Sequence, residues 1–315
     1  MVFMFGLSGC SSPTNEVVVY TSVDQIFSEP VLAAFEKESG IKVRAVYDAE
    51  ASKTVGLEKR LVAERSKPQA DVFWNSEHIR TLKLAEQDLF SAYVPKESGS
   101  IPNDFKDNES MLWTGFGVRG RVFVVNSNLI DKADYPQSLE DLVDPKWAGK
   151  TAIARPLFGT TSTHFTAFYT RDQVGFEMFI EQLLSAKVAI LTGNSHVRDA
   201  VVRGEYVFGL TDTDDVAVAI QKGDPVDMVF PDQDREGTFA VFQTVGLIKN
   251  APNSENAKKL IDYLTSEKNE AALVKSGAVQ LSVRKNQSTV RIWTEASRKM
   301  VDNIEPLGER LRKLF

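Results

Sequence analysis

The sequence predicts an α/β protein of two lobes, each with parallel strands and helices on both faces, joined by strands that cross between them. Three observations predict it. At 315 residues the chain exceeds the ~100–200 residues usual for one domain. Short apolar runs alternate with amphipathic stretches of helical spacing, an order that pairs strands in parallel beneath crossover helices. The alternation occurs twice, and no Pro/Gly-rich linker separates the two series, so the halves share strands.

In chain order, Val17, Val18, Val19 and Tyr20 form a buried strand. Residues 28–39 have helical spacing and stop at Gly40, the residue type that takes a left-handed helix end without strain. Residues 41–47 alternate as a strand, 53–65 return to helical spacing, and 70–74 make a third strand. Arg121-Val122-Phe123-Val124-Val125 is the centre of a strand over 119–126. In the second series 151–154 is a strand and 162–169 and 175–185 are helices. Residues 188–191, 207–210 and 226–230 are short strands with helices between. Residues 238–248 make one long strand or two, 254–265 a helix, and 288–314 a long amphipathic helix. Open α/β sheets bind ligands beyond the carboxyl ends of their strands, so the loops there hold the candidates.

Hydrophobic residues at 43% and charged residues at 25% are ordinary for a globular protein. A net charge of −6 argues against nucleic acid, which needs a clustered basic surface. The single cysteine, Cys10, allows no intrachain disulfide and no Cys-based metal cluster. It closes Leu7-Ser8-Gly9-Cys10 behind Val2-Phe3-Met4-Phe5, which resembles a bacterial lipobox, where the cysteine carries lipid. Ser11 to Asn15 read as a polar tether. Only nine residues precede Cys10 and none is Lys or Arg, whereas a signal peptide has a charged start and ~7–15 apolar residues. Residues 1–15 are therefore expected to be a truncated lipoprotein signal and tether. No later apolar run reaches the ~18–20 residues of a spanning helix.

Four stretches carry a resemblance: Val18-Val19-Tyr20-Thr21-Ser22, Pro68-Gln69-Ala70-Asp71-Val72-Phe73-Trp74, Trp113-Thr114-Gly115 with Arg119-Gly120-Arg121-Val122, and Asp141-Leu142-Val143-Asp144-Pro145-Lys146-Trp147-Ala148-Gly149-Lys150. Together, in this order, they resemble the ferric-ion-type (family 1) branch of ABC transporter extracellular solute-binding proteins. The resemblance implies a type II periplasmic-binding-protein fold, two doubly wound lobes joined by hinge strands. Lobe 1 would hold 16–117 plus 237–283, lobe 2 118–236 plus 284–315, with crossings near 115–118 and 231–237. It further implies a monomer at the periplasm or cell surface, held to the membrane by lipid. Such a protein captures a small-molecule or metal-ion solute and hands it to an ABC permease and ATPase, with no cofactor and no catalysis. The alternative class is a sensor subunit or an enzyme on the same fold. The sequence has no Gly-x-Ser-x-Gly elbow, P-loop or His-Glu-x-x-His.

The loop candidates are Ser22 and Asp24 after the first strand, Glu50 and Ser52 after the second, and Asn75 and Glu77 after the third. Gly159, Thr160, Thr161, Ser162 and Thr163 put a glycine and four hydroxyls at a helix start, more than one cap requires, where N–H groups and the helix dipole favour an anion. Arg155 is near, with Pro156 expected to turn it away. Asp212, Thr213 and Asp214, with Asp215, crowd carboxylates at a second helix start, suited to a cation. The pair of loops describes a zwitterionic or phosphorylated solute such as an aminoalkylphosphonate. Iron(III) or another hard cation bound with a small anion is the alternative. The adjacent tyrosines usual in ferric-binding relatives are absent from the sequence, and His78, His164 and His196 lack metal-ligand spacing. Trp74 is a candidate stacking surface for an organic cation.

Overall fold

The computed structural model describes residues 15–49, 53–284 and 289–315. The chain opens with β1 (Glu16–Thr21), α1 (Gln25–Ser39), β2 (Lys42–Tyr47), α2 (Val55–Ala63), β3 (Val72–Asn75), α3 (Ile79–Glu86) and the short β4 (Phe90–Ser91). A long strand, β5 (Thr114–Asn126), follows. Next come β6 (Thr151–Ala154), α4 (Gly159–Arg171), α5 (Gln173–Ser185), β7 (Ala189–Leu191), α6 (Asn194–Val202), β8 (Phe208–Asp212), α7 (Thr213–Lys222) and β9 (Val226–Val229). The second long strand is β10 (Thr238–Ile248), and α8 (Ser254–Leu264), α9 (Glu267–Ser276), β11 (Ile292–Trp293) and α10 (Arg298–Leu311) complete the fold.

The strand order is β2-β1-β3-β10-β5-β8-β6-β7. Its first part is lobe 1, with β1 parallel to β2 and β3 and β10 antiparallel beside them. Its last part is lobe 2, with β6 parallel to β7 and β8. Each lobe has its own core. Val17, Val19, Val72 and Trp74 pack with Phe27, Phe35, Leu260 and Leu264 in lobe 1, while Phe123, Ile153 and Phe208 pack with Phe165, Phe176 and Phe179 in lobe 2. Burying one such side chain contributes about 1.5–3 kcal/mol.

β5 and β10 bind the lobes together. β5 pairs with β10 from Thr114 to Gly120, then with β8 from Arg121 onward. The strand therefore changes sheets between Gly120 and Arg121. Just before that change β5 is irregular. Gly117, at φ 62°, is the extra residue of a bulge, lying between Phe116 and Val118 opposite the consecutive β10 residues Gln243 and Phe242. A left-handed glycine and a bulge each bend a strand. The first expected crossing, 115–118, lies a few residues ahead of this change of sheets. The second is carried by β10 itself, and 231–237 is a turn ahead of it, where the Asp232 N–H donates to Gln137 O at 2.7 Å.

The expected elements occur with shifted ends, and 238–248 is one strand. The C-terminal helix is shorter than expected. It starts at Arg298, where the Ser297 side chain accepts from the Met300 N–H. Before it, Ile292 and Trp293 pair with β10. α10 does not belong to lobe 2 alone. Met300, Val301 and Ile304 pack on Ile79 and Leu82 of lobe 1 and on Ala167 of lobe 2, and Leu307 and Leu311 enter the lobe 2 core.

Candidate functional site

Side chains two residues apart on a strand share a face, so Arg119 and Arg121 point the same way where β5 leaves one lobe for the other. Both are buried, Arg121 completely. Arg121 Nη1 donates to Asp212 Oδ1 at 2.6 Å, to Thr160 Oγ1 at 3.1 Å and to Asn194 Oδ1 at 3.2 Å. Its Nη2 donates to Thr161 Oγ1 at 2.9 Å. Asp212 Oδ2 accepts from Thr160 Oγ1 at 2.8 Å and from Asn194 Nδ2 at 3.0 Å, and lies 3.2 Å from Arg119 Nη1. Burial opposes ionisation of Asp212, yet Arg121 and Arg119 outweigh it and hold the carboxyl below its ordinary value. Both Asp212 oxygens are thus engaged within the protein, which withdraws this residue from a role against a solute cation.

Asp214 differs. Its Oδ2 accepts from Arg119 Nη1 at 2.7 Å, but Oδ1 is buried with no hydrogen-bond partner among the described residues. Burial pushes its pKa up to about 6 against the pull of Arg119, with Asp212 adding to the rise. Asp215 is raised well above the carboxylate range by burial and by both neighbouring carboxylates; it accepts from Thr211 Oγ1 at 2.9 Å and lies 3.6 Å from Arg198. The three carboxylates lie within 4.8 Å of one another, close enough for a cation. Each already faces a guanidinium, however, so the cluster is not an open cation site. Thr213 Oγ1 is buried and unpartnered among the described residues.

The hydroxyls of α4 mostly brace the site. Thr160 and Thr161 bond inward as above, and Thr163 Oγ1 donates to Glu77 Oε2 at 3.1 Å. Ser162 is buried in the same turn, its N–H bonded to Phe158 O. Gly159, at φ 53°, donates its N–H to Lys53 O at 3.1 Å. The first-turn N–H groups of a helix have no carbonyl partner inside it, and here two such starts, Gly159–Thr161 of α4 and Asn194 of α6, line one cleft together with Lys53, Ser76, Arg119, Arg155 and Asp212. Lys53 is paired with Asp24 and Arg119 with Asp214, while the lining carboxylate Asp212 is held by Arg121. Arg155 is exposed and turns into this lining despite Pro156. About 20 Å³ is free inside, room for little more than a water.

Of the remaining candidates, Ser22 Oγ donates to Asn75 Oδ1 at 2.6 Å and accepts from the Ser76 N–H at 2.9 Å, a buried brace at the ends of β1 and β3. Asp24 pairs with Lys53. Glu77 is fully buried, which raises its pKa despite Arg80, and it caps α3 through the Ile79 N–H at 2.6 Å. Glu50, Ser52 and Cys10 lie outside the described residues. Trp74 is core, not a stacking surface: it is fully buried and its Nε1 donates to Gln243 Oε1 at 2.9 Å. His78 stacks on Phe242 at 4.2 Å and His164 on Phe239 at 4.7 Å, and burial lowers the pKa of both. Sequence reasoning missed Arg119, Arg121 and Asn194 as site residues. The available signal was two arginines in phase on an otherwise apolar strand.

The family model described as bacterial extracellular solute-binding protein matches residues 20–271. Iron uptake protein A1 of Synechocystis is 27% identical over 83% of this chain and 74% of its own length. A putative 2-aminoethylphosphonate-binding periplasmic protein of Salmonella typhimurium is 27% identical over 85% of this chain and 79% of its own. Among solved structures, apo ferric ion-binding protein A of Pasteurella haemolytica superposes with a TM-score of 0.83 at 23% identity, covering 95% of this chain and 98% of its own. That likeness carries the fold.

Proposed function

The chain belongs to the family of bacterial extracellular solute-binding proteins, and from that premise we propose that it is the lipid-anchored capture subunit of an ABC importer for a small solute with an anionic head. The observation that carries the cargo class is the cleft lining: the starts of α4 and α6 with Arg155. Beside them Lys53 and Arg119 are paired with Asp24 and Asp214, and the carboxylate Asp212 is held by Arg121. Oxyanions are stabilised where N–H groups, dipoles and guanidiniums converge. An amine at the other end of the solute has Asp24 as its partner, a partly exposed carboxylate beside Lys53, which makes an aminoalkylphosphonate a fitting cargo. The name of the Salmonella relative points the same way. A ferric cargo is less well served, because no tyrosine is among the cleft-lining residues and hard trivalent ions want anionic oxygens. The captured solute passes to a permease and its ATPase without chemistry.

Titration calorimetry with 2-aminoethylphosphonate, inorganic phosphate, β-alanine and ferric citrate tests this. The phosphonate binds best. Lys53→Ala combined with Arg155→Ala weakens it at least about tenfold, since a hydrogen bond to a charged group contributes about 1.5–3 kcal/mol. Tight binding of ferric citrate alone would sink the anion-head reading.

A further inference from the structure

Arg119 sits on a crossing strand, opposite Val241 of β10 and one residue before β5 passes Gly120 to join β8. Its guanidinium bonds both lobes. Nη2 donates to Ser76 O of lobe 1 at 2.7 Å, and Nη1 donates to Asp214 Oδ2 of lobe 2 at 2.7 Å. It also lines the cleft, and its Nε is buried without a partner among the described residues. Among other bonds that join the lobes, Thr163 Oγ1 donates to Glu77 Oε2 and the Gly159 N–H donates to Lys53 O. Every partner in these bonds belongs to the chain.

A guanidinium presents its N–H groups in a rigid planar fork. Arg119 therefore reaches the Ser76 carbonyl and the Asp214 carboxylate together only at one separation of the loops that carry them. We propose that Arg119 is a positioning residue that clasps the lobes, so that the solute-free protein already populates the closed arrangement and a solute selects it. This rests on the cleft being the capture site. A lysine at 119 keeps the charge beside Asp214 but has no fork with which to hold Ser76 as well.

The test places spin labels on exposed Lys37→Cys of α1 and Glu181→Cys of α5 in a Cys10→Ser background, and reads the interlobe distance by pulsed EPR. In solute-free protein, a closed population is expected for the wild-type sequence. Arg119→Lys should lower the closed-to-open ratio about tenfold, the lower end of what one hydrogen bond to a charged group contributes. Thr163→Val, which removes a lobe-to-lobe bond but leaves the fork, should lower it less. Circular dichroism establishes that each variant is folded. A solute-free protein that is wholly open, or a folded Arg119→Lys variant as closed as its parent, overturns the clasp. Repeating the measurement with 2-aminoethylphosphonate separates the two ideas. If it neither binds nor shifts the distance, the cargo assignment fails, while the solute-free comparison still decides the role of Arg119.

Discussion

Asp212 and Asp214 stand two residues apart, and their guanidinium partners set them against each other. Asp212 meets Arg121 and the edge of Arg119 and stays ionised, whereas Asp214 has Arg119 alone and a bare Oδ1. Its native pKa of about 6 lies above the ~3.9 of an unfolded aspartate. The folded state then binds more protons between these values, so this contribution to stability is full below pH ~4 and declines as pH rises through about 6. Asp214→Asn removes the decline. Urea midpoints should show the variant gaining on its parent between pH 4 and pH 7.5, whatever the offset at pH 4, and a pH-independent difference would refute the assignment. The acidic loop was legible in the sequence, because three carboxylates at a helix start exceed what capping needs. Its neutralisation was not: Arg121 reaches Asp212 across 91 positions, and arginines inside a strand give no sign of which face is buried.

At the scale of elements, the strands of the sheet interior were legible because burial on both faces writes them as continuous apolar runs. β4 and β11 were not. Each has two residues and exists because β10 offers an edge, a non-local cause that leaves no local pattern. α3 also escaped notice, since eight residues with Arg80 and Thr81 buried break the usual apolar stripe. The crossing strands hold a testable constraint. At Gly117 a side chain would face both φ 62° and Val279 Cγ1 at 2.7 Å, while at Gly40 φ is 69° with nothing within 4 Å. Gly117→Ala should therefore destabilise by about 1–3 kcal/mol, and more than Gly40→Ala, in paired thermal melts. Equal losses would mean that the Val279 contact yields freely.

For the molecule as a whole, the two-lobed plan was legible from the repeated alternation and the missing linker. The sharing of the C-terminal helix was not, because amphipathic spacing tells that a helix is covered and not by what. α10 joins Lys83 and Arg80 of lobe 1 through Glu305, and Glu177 of lobe 2 through Arg310. The proposed lipid anchor belongs at this scale too. Expressed behind a bacterial lipoprotein signal sequence, the protein should partition into detergent through a lipidated Cys10, and Cys10→Ser should move it to the aqueous phase. Identical partitioning of the two would rule out the anchor. The helix shared by the lobes has a mechanical consequence. A bar pinned to both plates cannot follow one without slipping on the other, so any turning of the lobes must part Glu305 from Lys83 and Arg80, or Arg310 from Glu177, or slide α10 across one of its two seats.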